Sequence, residues 1–403
     1  MKGYSGGFSL KRAFVNCDYW ILLPFVCLCV VGILMVYSAS SSNLAYANVS
    51  TTSYFFKQAA FDFLALVMLY VVSAVPQRWY RKKPFIVIVK YAMPGLLLLV
   101  LHTAPVNGAR AWISLGPISV QPSEICKAVL IVWLANLLEN QYRLKMAGKE
   151  VHRAWSIIII LLIAILIALE PDLGGLCVNA SIVLVMLVTA LSRGAWGRKI
   201  IKSVAVMVPV LICLALWLLK SGFLVGIMKK MSGSYAIQRF VGFQDPFGHV
   251  ATSGKQLVNS YIAISNGGLR GMGLGNGIQK RGYLPEPYTD FVLSITAEEL
   301  GIIGVLIVLV SLMMLIVRII IIGCKADFMY DRLICYGTAA MLFMQSFLNI
   351  GAVCGLVPIT GVTLPFVSYG GSSALILASC LGLVMAVSSK QKDRKRRRAL
   401  ERK

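Results

Sequence analysis

Apolar stretches of about 20 residues recur from one end of this 403-residue chain to the other. Nothing else constrains its fold as strongly. A helix of that length crosses the roughly 30 Å hydrocarbon core of a bilayer, and inside that core the backbone must satisfy its own hydrogen bonds. Composition agrees: only 14% of residues are charged, against about 25% in a soluble domain, and the mean hydropathy is +0.79. The expected fold is an all-α polytopic membrane protein of about ten transmembrane helices. The spans fall near 18–38, 55–75, 85–103, 122–139, 155–170, 174–192, 201–219, 290–317, 333–354 and 362–388. They give a cytoplasmic N-terminus at 1–17, a ten-helix domain at 18–388 and a basic tail at 389–403. One large extracellular loop, 220–289, joins spans seven and eight.

A net charge of +23 would suit nucleic acid, but its distribution argues otherwise. Basic clusters at Lys11/Arg12, Arg78/Arg81/Lys82/Lys83, Arg143/Lys145, Arg193/Arg198/Lys199, Arg318/Lys325 and Lys390 to Lys403 all fall on one side of a ten-span chain. The positive-inside rule makes that side cytoplasmic, with both termini inside, and no nucleic-acid partner is expected. The tail reads as a stop-transfer anchor that touches anionic lipid. Ten cysteines lie almost entirely in or beside spans without a C-x-x-C, and three histidines are scattered. Neither a disulfide nor a protein-built metal site is expected.

The outer edges are unusually polar. Loop 220–289 holds eight Lys or Arg against Asp245 and Glu286; composition alone does not choose between a solvated loop and a basic mouth for an anionic lipid. Its glycine-rich 266–277 could form a backbone anion nest. Elsewhere on this face are Lys57 and Asp62, Arg110 and Trp112, Gln121-Pro122-Ser123-Glu124 opening span four, Lys127 one turn deeper, and Glu170/Asp172 between spans five and six. Lys127 is placed to pair with Glu124. Ionisable groups in spans are costly and usually face a cavity, so their gathering at one leaflet implies a polar cavity open to the outside.

The stretch "LPEPYTDFVLSITAEELG" (284–301) places three acids at the start of span eight. Thr289 or Asp290 can cap its first turn. On a straight helix Glu298 lies about 12 Å deeper than Asp290 and Glu299 faces the opposite side. Only Asp290 then sits at the water boundary, so it is the acid placed to act on an outside substrate. Glu298 is expected to support it, with Lys127 as a cationic partner.

This stretch resembles the LPE-x-HTDFIF-x-x-x-x-EELG segment of the SEDS (shape, elongation, division and sporulation) family, the FtsW/RodA/SpoVE group. "NIGAVCGLVPITGVTLPFVSYGGSS" (349–373) is similar to the family signature, and "RAWISLGPISVQPSEICK", "EPDLGG", "YAIQRF" and "SYIAISNGGLRGMGLGNGIQKRGYLPE" extend the likeness over nearly the whole chain. The lack of extra residues before LPE and the basic tail look most like the FtsW/SpoVE branch. One position departs: Tyr288 stands where the family usually has His.

The resemblance implies a peptidoglycan glycosyltransferase of the bacterial cell membrane. It would polymerise lipid II on the outer face in septal wall synthesis, beside a class B penicillin-binding protein transpeptidase and other division proteins. Turning an α-linked pyrophosphate into a β-1,4 bond is an inversion, needing one base and charge stabilisation of the leaving group. It implies Asp290 as that base. It implies substrate contacts at Lys57, Arg110, Trp112, Gln121, Ser123, Glu124, Lys127, Gln238, Arg239, Gln256 and Ser260. Support falls to Glu298, Ser368, Gly370 and Gly371, and a divalent cation (Mg or Mn) is allowed as a bridge between pyrophosphate oxygens. Two other classes compete. A lipid II flippase would need a polar path onward through Glu298, Glu299 and Lys127, and a non-catalytic division scaffold would not need Asp290.

Overall fold

A computed structural model describes residues 8–46, 50–103, 111–115, 118–148, 154–170, 172–192 and 235–401. Expected span 201–219 lies outside them, as do Arg110 and the first part of the large loop. The other nine expected spans coincide with helices: α2 (Tyr19–Tyr46), α3 (Ser53–Ala74), α5 (Lys83–Val100), α6 (Pro122–Met146), α7 (Ala154–Leu169), α8 (Leu173–Leu191), α11 (Val292–Cys324), α12 (Met329–Val353) and α13 (Gly371–Leu400). Short helices α1 (Leu10–Val15) and α4 (Gln77–Tyr80) and a hairpin of β1 (Ile113–Leu115) and β2 (Ile118–Val120) lie between them. Two helices, α9 (Tyr235–Gln244) and α10 (Lys255–Gly267), lie in the described part of the large loop. Seven helices among the described residues are long and apolar enough to cross a bilayer.

Helix α13 packs along α3, α12 against α8, and α11 against both α2 and α12. The lipid-facing sides of α2, α5, α7 and α11 carry exposed Leu, Ile and Val, as expected where the surrounding solvent is hydrocarbon. At the end of the bundle that holds both described termini, carboxylates are matched by cations. Asp18 pairs with Arg318 (2.8 Å), Asp331 with Lys390 (2.7 Å), Asp327 with Arg394 (2.8 Å), and Glu139 with Arg81 and Arg143.

Two boundaries differ from the sequence reading, both near the opposite end. Span ten does not begin at 362: residues 354–370 form a non-helical connector and the helix starts at Gly371. Span eight is not one straight rod. Gly301 sits at φ 65° and ψ −162° and breaks α11 into 292–300 and 302–324. The 23 residues after the break span about 35 Å as helix, enough to cross alone.

Candidate active site

The Asp290 turn is held from outside its own helix. Helix α11 is N-capped by Phe291 with no side-chain hydrogen bond, so the capping expected of Thr289 or Asp290 does not occur. Instead Asn349 Nδ2 of α12 donates to Asp290 O (2.9 Å) and to Val362 O (2.8 Å). Ser368 Oγ donates to Thr289 O (2.6 Å) and accepts from Leu364 N (2.8 Å). Tyr369 N donates to Tyr288 O (2.9 Å). Glu286, a non-glycine residue at φ 51°, starts the turn in a conformation costing about 1–3 kcal/mol. The support expected of Ser368 is thereby given a geometry. Gly370 N-caps α13, and Gly371 lies so close to the Phe61 ring that a side chain would not fit.

Arg239 meets Asp290 across Gly361. A Cβ on Gly361 would lie 3.4 Å from Arg239 Nη1 and 3.8 Å from Asp290 Oδ2, and the residue's φ of 77° also favours glycine. Arg239 Nη1 donates to Ile359 O (3.2 Å), which fixes the cation on the same connector. Burial pushes the Asp290 carboxyl up to about 6; Arg239 opposes that rise and Glu286 adds to it. At neutral pH Asp290 is therefore mostly ionised yet more basic than an ordinary carboxylate, which suits a general base. Lys57 is exposed, its Nζ 5.4 Å from the centre of the Tyr54 ring. Tyr54 in turn lies 5.1 Å from Tyr288 and 4.7 Å from Tyr369. Burial keeps the Tyr288 phenol protonated well beyond neutral pH.

Several expected substrate contacts are engaged elsewhere. Lys127 is buried at 1% exposure and bound to Glu124 (2.6 Å) and Gln345 Oε1 (3.3 Å), with Ser373 Oγ closing the group on Glu124 (3.0 Å). Its expected pairing with Glu298 is absent. Gln121 Nε2 (2.9 Å) and Ser123 Oγ (2.8 Å) both donate to Asp172 Oδ2, whose other oxygen caps α8 through Gly175 N (2.7 Å). Ser260 is buried, with Ser294 Oγ at 2.8 Å and Val353 O accepting its hydroxyl at 2.9 Å. Ser123, Lys127 and Ser260 are buried and tie helices together, while Gln121 and Glu124 remain part-exposed. Trp112 and Gln256 are half-buried and not hydrogen-bonded to the Asp290 turn. Arg110 and the Gln238 side chain lie outside what the structure describes.

Glu298 and Glu299 have a different task from the one expected. The break at Gly301 frees helix carbonyls, and the glycine-rich segment takes them up: Met272 N donates to Glu298 O (2.9 Å) and Gly273 N to Glu299 O (3.0 Å), while Ile302 N donates to Gly268 O (3.1 Å). The carboxylates then occupy the remaining donors. Glu298 accepts from Asn266 Nδ2 (3.0 Å) and Gln279 N (3.1 Å), and Glu299 accepts from Gly275 N (2.9 Å). Lys280 Nζ is 2.6 Å from Glu299, and Ser38 Oγ of α2 lies 2.7 and 2.8 Å from its two oxygens. The anion nest that 266–277 could form is occupied by the protein's own acids, and both face this one loop, not opposite sides. Sequence reading missed Ser38, Lys280 and Gln345; no pattern marks them, because their partners are remote in the chain.

Glu170 is fully buried with neither oxygen hydrogen-bonded among the described residues. Among the described residues no three His, Cys, Asp or Glu side chains converge as metal ligands.

A family model described as "Cell cycle protein", of FtsW, RodA and SpoVE, matches residues 19–393. A Lactococcus lactis protein named probable peptidoglycan glycosyltransferase FtsW is 34% identical, over 95% of this chain and 94% of its own length. The Bacillus subtilis protein of the same name is 34% identical over 94% and 92%. Among solved structures, a peptidoglycan synthase complex that coordinates polymerization and crosslinking has a chain matching with a TM-score of 0.68 at 26% identity, over 93% of this chain and 98% of that one. Thermus thermophilus rod shape determining protein RodA matches at 0.61 and 25%, over 93% and 97%.

Proposed function

The chain belongs to the FtsW/RodA/SpoVE family of cell cycle proteins, and from that premise we propose that it is a multi-pass membrane peptidoglycan glycosyltransferase that polymerises lipid II by inverting transfer. One observation carries the residue assignment: the Asp290 carboxylate, which caps no helix, faces Arg239 across the exposed Gly361. In the proposed step Asp290 takes the proton of the acceptor sugar's 4-hydroxyl as its oxygen attacks the anomeric carbon of the donor. The bond from that carbon to the pyrophosphate oxygen breaks on the far face, releasing polyprenyl pyrophosphate. Arg239, and Lys57 at the rim, offset the leaving group's charge. A divalent cation would arrive with the pyrophosphate.

The Asp290 end is then the outer face and the basic end the cytoplasmic one, as the positive-inside rule requires. The likeness to a complex coordinating polymerization with crosslinking supports a class B penicillin-binding protein as partner, and relatives named FtsW support a septal role. A flippase is disfavoured because Glu298 and Lys127, its expected inner steps, are engaged within the protein. The test is purified protein incubated with labelled lipid II, with and without the partner transpeptidase. Glycan polymer on a gel is expected, and lipid II translocation without polymer would overturn the reading.

A further inference from the structure

The proposed transfer leaves unexplained three aromatic rings that converge beside its base. Tyr54 opens α3, Tyr288 lies two residues before Asp290, and Tyr369 sits in the connector before α13. Tyr54 and Tyr288 are tilted by 36° at 5.1 Å, and Tyr369 meets Tyr54 edge-on (80°, 4.7 Å) and Tyr288 at 6.1 Å. All three are half-buried. Rings needed only for packing in a membrane protein could face lipid or the core; these stand at the polar mouth with Lys57 over one of them. The backbone bond from Tyr369 N to Tyr288 O (2.9 Å) locks two of the rings to the turn that presents Asp290.

Resting on the glycosyltransferase reading, we propose that Tyr54, Tyr288 and Tyr369 form a platform for a pyranose ring of the substrate. A pyranose turns axial C–H bonds, weakly positive and apolar, toward one face, and the face of a phenol ring is negative. Tyr288 precedes Asp290 by two positions, so a sugar seated on the platform presents its edge hydroxyls to the base. Histidine, usual at this position in the family, offers a smaller ring, so Tyr288 presents the sugar with a larger face.

The experiment uses full-length protein in detergent and a soluble N-acetylglucosaminyl-N-acetylmuramyl pentapeptide that lacks lipid and pyrophosphate. Saturation-transfer NMR should show contact with sugar ring protons in wild type and equally in Asp290→Asn. Tyr54→Ala and Tyr288→Ala should lose it and raise KM for lipid II about tenfold, equivalent to about 1.4 kcal/mol. Tyr288→Phe should keep the contact, and Tyr54→Leu, which retains bulk, should lose it even where the alanine variant melts early. No contact in wild type, or undiminished contact in the Tyr54→Leu and Tyr288→Ala proteins, overturns the platform. Disaccharide contact in a protein that makes no polymer would overturn the polymerase reading and leave the platform standing.

Discussion

Asp290 is the residue on which the chemistry turns, and its protonation has a definite sign. Folding raises its carboxyl from 3.8 to about 6, chiefly by burial. Only the ionised form can accept a proton, so kcat/KM should rise with pH to a plateau, with a midpoint near 6, in a pH–rate profile. The same shift acts on stability in the opposite direction. Between 3.8 and about 6 the folded state holds more protons than the unfolded one, so this residue's contribution to stability falls as pH rises through that window. Asp290→Asn removes both effects: melting temperature at neutral pH should not fall, while activity is lost. Asp290→Glu should be slower by about 100-fold, because a shift of about 1 Å misplaces the base.

At the scale of elements, the broken helix α11 and the glycine-rich segment form one unit. Residues 292–300 are a short rod with Asp290 at one end and the Glu298/Glu299 clamp at the other. Lys280 and Glu299 are both buried (3% and 0% exposed), and removing one partner of such a pair costs about 3–5 kcal/mol. Glu299→Gln should therefore lower the melting temperature and the activity together, and adding Lys280→Met should recover part of both. Gly301→Ala should also destabilise the protein, by about 1–3 kcal/mol from backbone strain alone, with further loss from the close approach of Leu269 and Gly271 backbone. Thermal melts of the purified variants check both. This unit also marks where sequence reading stopped. Nine helices were legible because hydropathy is local, and the Glu124–Lys127 pair because it is three residues apart. The clamp was not, because Ser38 and Glu299 are 261 positions apart and one glycine dihedral redirects everything after it. For the same reason Asp290 could be singled out as a boundary acid, whereas Arg239 became its neighbour only through the fold of the connector 354–370.

For the whole molecule, one end is rich in paired and exposed cations and the other holds the Asp290 turn, and the proposed direction of synthesis requires the second to face outward. A cysteine introduced at Ser253 in a background without reactive thiols should react with a membrane-impermeant maleimide in intact cells, and one at Ala147 should not. The opposite labelling pattern would place the proposed base in the cytoplasm, away from any wall polymer. The central claim, that Asp290 is the base of a polymerase and the deeper acids are supports, is tested most directly in liposomes carrying lipid II. Polymer formation, lipid II translocation and melting temperature are measured together for wild type, Asp290→Asn and Glu298→Gln. Asp290→Asn should melt like wild type and form no polymer, and Glu298→Gln should lose stability and activity in parallel. Polymer from a folded Asp290→Asn protein, together with blocked translocation in a fully stable Glu298→Gln protein, would contradict the account.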